Sequence, residues 1–77
     1  MNQALIFNDD YYFDKEQNVW ECSVQLSGQK IKIILVSNKL NALSLLDAGT
    51  KFDLEEHVEY WCENNEIEGS IITINLN

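Results

Sequence analysis

The chain of 77 residues has no proline, no arginine, one histidine, two cysteines and three glycines. Without arginine there is no planar fork for bidentate contacts to phosphates or base edges. Five lysines against 13 Asp and Glu leave a net charge of −8. Phosphate binding relies on clustered cations that displace counterions, so this composition argues against nucleic acid as a partner. An anionic membrane surface is disfavoured on the same ground. Apolar runs are short, as in Ile33–Val36, against the roughly 20 residues a spanning helix needs. The Met1–Phe7 segment lacks a cationic region and a long apolar stretch, which predicts no secretory signal and a cytoplasmic location. Cys22 and Cys62 have no C-x-x-C spacing and are expected to be reduced thiols in that compartment. No glycine-rich phosphate loop, metal-ligand spacing or activated nucleophile stands out, so the expectation is a non-enzyme with no cofactor and no metal.

What the chain does have is 45% apolar residues, an ordinary globular content and too much for a disordered acidic tail. Its length predicts one domain over 1–77. A core this small supplies about 3–5 kcal/mol, and a homodimer is one route to more.

Ala4–Phe7 is a short apolar run that reads as a first strand, and the turn-rich stretch 8–18 reads as a connection. In Val19–Leu26 the even positions Trp20, Cys22, Val24 and Leu26 are apolar, while Glu21, Ser23 and Gln25 are polar. That period of two marks a half-buried strand, and Lys30–Val36 repeats it with Ile31, Ile33 and Leu35. A two-residue loop at Ser27-Gly28 makes Val24 face Ile31, Cys22 face Ile33 and Trp20 face Leu35. A slip of one residue would destroy all three apolar pairs. Ser37 and Asn38 can cap a helix, Leu40, Leu43 and Leu46 recur behind them, and Gly49 suits its end. Asp53 with Glu56 resembles a capping box, followed by the stripe Leu54, Val58, Trp61 and Cys62. Ile72, Ile74 and Leu76 alternate as a last strand. The predicted fold is α+β: a small antiparallel sheet with strands near 4–7, 19–26, 30–36 and 71–76. One short and one longer helix, near 39–48 and 54–64, pack on one face.

The charge is unevenly placed. Residues 52–77 hold seven acids and no lysine, while residues 1–51 are nearly neutral. Glu55, Glu59 and Glu63 fall at i, i+4 and i+8, on one helix face. Like charges at that spacing repel, and Glu63, Glu66 and Glu68 crowd the end where the helix dipole disfavours anions. Three readings are open: a solvated face that keeps a small protein soluble, a contact surface for a basic protein, or, last in order, a carboxylate pair for acid–base work or Mg²⁺. Tyr11-Tyr12-Phe13, set among Asp9, Asp10, Asp14 and Glu16, is either packing or an aromatic patch that joins such a surface. The candidate partner-binding residues are therefore Glu55, Glu59, Glu63, Tyr11 and Tyr12. His57 is expected to pack at the boundary of the apolar stripe. An enzyme using it with nearby carboxylates would need a pocket around it.

The opening Met1-Asn2-Gln3-Ala4-Leu5 with Phe7, then Asp9, Phe13-Asp14, Gly28, Ser37, Leu40 and Asp53-Leu54-Glu55-Glu56 with Glu59, resembles the YrdB-like family of small bacterial proteins, domain of unknown function 1488. The likeness runs along almost the whole chain. Basic residues that other members carry before the Asp-Leu-Glu-Glu segment are reduced here to Lys51. The resemblance implies a compact α+β cytoplasmic protein from a bacterium and implies no activity. From the residues themselves, the leading expectation is a non-enzymatic protein-binding or regulatory module. The alternative is a nucleic-acid mimic that occupies a DNA- or RNA-binding protein through its acidic face.

Overall fold

The computed structural model describes residues 5–77. Its elements run β1 (Leu5–Phe7), β2 (Tyr12–Asp14), β3 (Val19–Leu26), β4 (Gln29–Val36), α1 (Asn38–Asn41), α2 (Ala48–Asn64) and β5 (Ile71–Asn75). This is the expected α+β arrangement, although Ala4 of the first predicted strand lies outside the described residues.

The β3–β4 hairpin has the register that alternation demands, with Val24 opposite Ile31, Cys22 opposite Ile33 and Trp20 opposite Leu35. Ser27 and Gly28 turn it with φ of 53° and 80°. Two consecutive positive φ angles match the right-handed twist of the strands, and the second falls on the residue that has no Cβ to strain. The apolar face of this hairpin, with Ile72 and Ile74 of β5 and Leu54 and Val58 of α2, forms the buried core. The indole Nε1 of Trp20 donates to the Leu40 carbonyl at 2.8 Å, pinning α1 to the sheet.

The sheet is mixed rather than antiparallel. Its order is β1-β3-β4-β5, with β2 also on β3. β5 runs parallel to β4. A chain that leaves β4, crosses one face through helices and returns to the same edge arrives in the same direction, so the connection dictates the sense of β5.

Residues 8–18 are not a plain connection. Tyr12, Phe13 and Asp14 pair with Glu21, Trp20 and Val19. Together β1 and β2 make one edge interrupted by a bulge, where Asp9 has φ of 55°. Across the bulge the Asp10 carboxylate accepts the Ser23 N–H at 2.8 Å and the Ser23 hydroxyl at 2.5 Å. A side chain thereby replaces the missing ladder carbonyl. Burial pushes the Asp10 carboxyl upward, but the Ser23 hydrogen bonds and the charge of Lys30 outweigh it and hold it below its ordinary value.

The first helix starts at its expected cap but stops early, and the second ends at Asn64 as expected but starts six residues earlier than expected. α1 is a single turn capped by Ser37, whose hydroxyl accepts the Leu40 N–H. It ends at Asn41 because Leu43 and Leu45 face solvent, and a short helix without a buried stripe is not sustained. α2 begins at Ala48, capped by Asp47 accepting the Thr50 N–H at 2.8 Å. Asp53 therefore lies inside the helix rather than at its cap, and Gly49 belongs to the first turn of α2. The buried Leu46 anchors the chain just before that cap.

Candidate functional site

The 17-residue α2 buries one side and exposes the other. Leu54 and Val58 are buried against the sheet, with Trp61 and Cys62 packed partly against the same core. Glu59 and Glu63 are exposed and Glu55 is half-buried. Among the described residues none of these three carboxylates has a cation within salt-bridge distance; the ion pairs are Lys32–Glu21 and Lys51–Asp9. Phe52 and Tyr60 are also on the surface of α2, 60% and 68% exposed. Sequence reasoning missed both as surface residues, although the i, i+7 spacing from Phe52 to Glu59 places Phe52 on the acidic face rather than with Leu54 and Val58.

The last turn of α2 holds no basic residue. Instead the Asn64 and Asn65 side-chain amides donate to the Tyr60 and Trp61 carbonyls at 2.7 and 2.9 Å. These bonds satisfy two of the orphan carbonyls without neutralising the negative end of the helix dipole. Beside this turn lies an open groove of about 890 Å³. Leu26 and Ile31 are among its buried lining residues, and Glu59, Glu63 and Glu66 line it as exposed ones.

Strand alternation separates the predicted aromatic segment. Tyr11 and Phe13 point toward the helices, where Phe13 meets Trp20 edge-to-face with centroids 5.7 Å apart. The Lys51 ammonium stands 5.5 Å from the Tyr11 ring centroid and 3.2 Å from Asp9. Burial, then the neighbouring Cys22, Glu55 and aspartates, drive the Tyr11 phenol far above its ordinary range. Tyr11 thus lies near Glu55. Tyr12 projects to the opposite side of the sheet, so it does not share a surface with the acidic helix face.

Tyr12 instead meets Glu21, a residue that sequence reasoning left as a polar strand position. Glu21 is 0% exposed. Its Oε1 accepts from the Tyr12 hydroxyl and pairs with the Lys32 ammonium at 3.0 Å. Its Oε2 is buried with no hydrogen-bond partner among the described residues. The hydrogen bond to Glu21, followed by its charge, raises Lys32 above the ordinary lysine value; for Tyr12 the hydrogen bond, then burial, act the same way on the phenol. The one signal was the pairing of Ser23 with Lys32, which makes Lys32 the diagonal neighbour of Glu21 on that face.

His57 is exposed beside Asp53, Glu56 and Tyr60 on a shallow depression of about 210 Å³. It therefore does not take the boundary-packing role expected of it. Among the described residues no group of three or more His, Cys, Asp or Glu is placed to hold a metal ion, and no helix is long and apolar enough to cross a membrane.

Cys22 and Cys62 are free thiols. Burial, aided by Asp10 and Glu55, pushes Cys22 up to about 12. Burial and then Glu59 raise Cys62 as well. Because thiolate is the reactive form, a disulfide reagent at pH 8 is expected to modify Cys62 slowly in the native protein. Cys22 should react only after denaturant is added. Native labelling of Cys22 at the rate of Cys62 would contradict this burial.

No profile of a known protein family matches the chain, and no curated protein matches it. Its fold is similar to the crystal structure of a protein of unknown function from the domain of unknown function 1488 family of Shewanella loihica PV-4. The two share 24% identity at a TM-score of 0.69, covering 96% of this chain and 94% of that one. The family whose motifs the sequence resembles is therefore the family of a protein with this fold.

Proposed function

We propose that this chain is a non-enzymatic protein-binding module whose acidic face on α2, built by Glu55, Glu59 and Glu63, meets a basic partner. The observation that carries this reading is a helix face of carboxylates that, among the described residues, have no cation within salt-bridge distance, ending in a turn with no basic residue. Such a face costs the free protein like-charge repulsion of a few tenths of a kcal/mol per pair. A basic partner removes that cost and is steered by the same field. Capture from a cell extract at low and high salt, by wild type and by the Glu55→Lys/Glu59→Lys variant, tests it. The expected result is a set of bound proteins lost at high salt and absent from the double variant. Capture that ignores both changes would overturn the reading.

A further inference from the structure

The open groove beside the end of α2 combines two features that the acidic face alone lacks. Its base is apolar: Leu26 and Ile31 are buried there, and Cys62 and Ile67 are partly exposed. Its rim carries Glu59, Glu63 and Glu66, and among the described residues no lysine lines it. The negative end of the α2 dipole lies at the same place, with its last turn devoid of cations. Three carboxylates at a helix C-terminus oppose the dipole and one another. An occupant that brings positive charge relieves that opposition, and one that also brings an apolar side chain covers the exposed parts of Cys62 and Ile67.

We propose that this groove docks a cationic peptide segment of another protein, with one aliphatic side chain seated on Cys62 and Ile67 between flanking lysines or arginines held by Glu59, Glu63 and Glu66. The inference rests on the protein-binding reading above and specifies its partner. A small polyamine or divalent cation would satisfy the rim but leave the base uncovered, and a neutral apolar segment would do the reverse.

The test uses two fluorescently labelled peptides, Gly-Lys-Lys-Leu-Lys-Lys-Gly and its counterpart with Ala for Leu, read by anisotropy at low salt. The leucine peptide is expected to bind about tenfold more tightly, because it buries several more methylene equivalents. Glu66→Lys is expected to weaken both peptides by about tenfold, and Ile67→Ser to weaken the leucine peptide by about tenfold and erase its preference. Glu16→Lys, an exposed carboxylate away from α2 and outside the groove lining, should change it little. If Ile67→Ser fails to fold by circular dichroism, Glu66→Lys at its exposed position still decides the matter.

Equal binding of both peptides, untouched by Glu66→Lys but abolished by Glu55→Lys/Glu59→Lys, would overturn the groove proposal and leave the acidic-face reading standing. Displacement of the leucine peptide by spermine at equal charge concentration would assign the groove to small cations and overturn the proposed occupant. No binding of either peptide would count against both readings.

Discussion

Lys32→Met is expected to destabilise the fold far more than Glu21→Met, although both break the same ion pair. Glu21 is fully buried, while the Lys32 side chain is 44% exposed. Removing the lysine strands a buried carboxylate that keeps only the Tyr12 hydroxyl on one oxygen and nothing on the other. A stranded buried charge of this kind costs about 3–5 kcal/mol, comparable to the whole contribution of a core in so small a chain. Removing the glutamate instead leaves an ammonium that swings into water, and methionine fills the vacated apolar space. Replacing a buried pair by well-packed apolar groups is often neutral, so the double variant should recover most of what Lys32→Met loses.

Urea denaturation of the three variants measures the asymmetry, and equal losses in the two single variants would refute it. The pH dependence supplies a second check. Lys32 is raised above its ordinary 10.5 by Glu21. Its contribution is thus complete below about that pH and is lost as pH climbs through the higher folded value. Wild type should weaken there in a way that Glu21→Met does not.

Glu21 also shows where reading the sequence stops. The β3–β4 hairpin was legible to the residue, because alternation in both strands and a Ser27-Gly28 turn all demand one register. The same alternation assigned Glu21 to the polar face, and so it is. What buries it there comes from Tyr12 and Lys32, nine and eleven residues away, and Tyr12 belongs to a strand whose turn-rich surroundings hide it.

The start of α2 departed from expectation for a different reason. Asp47 and Asp53 are equally good caps by local chemistry, and only the burial of Leu46 just ahead of Asp47 decides between them. The acidic face of α2 was legible, since spacing alone places Glu55, Glu59 and Glu63 together. Its groove was not, because Leu5, Leu26 and Ile67 reach it from two strands and the connection after α2. The sense of β5 follows from topology and leaves no mark on its own residues.

Ile33→Ala is expected to leave the chain largely unfolded at 25 °C. Ile33 is 0% exposed in β4, flanked by Cys22 of β3 and Ile72 of β5 in register. It lies in the core that also holds Leu54 and Val58 of α2. Truncation of such a residue costs about 2–5 kcal/mol, part transfer and part cavity. A strand hydrogen-bonded on both sides cannot move inward to fill the space, which places the cost toward the upper end. Against a core contribution of about 3–5 kcal/mol, little is left.

Two controls separate lost packing from general disruption of β4. Ile33→Val, expected to cost about 0.5–1.5 kcal/mol, should stay folded with a lower urea midpoint. Ile34→Ala, one residue on but partly exposed on the opposite face, should cost less than Ile33→Ala despite removing the same atoms. Near-ultraviolet circular dichroism of the buried Trp20 and the partly buried Trp61 reports the outcome. Ile34→Ala matching Ile33→Ala would mean that the outer face of the sheet bears as much of the stability as the helix-covered one.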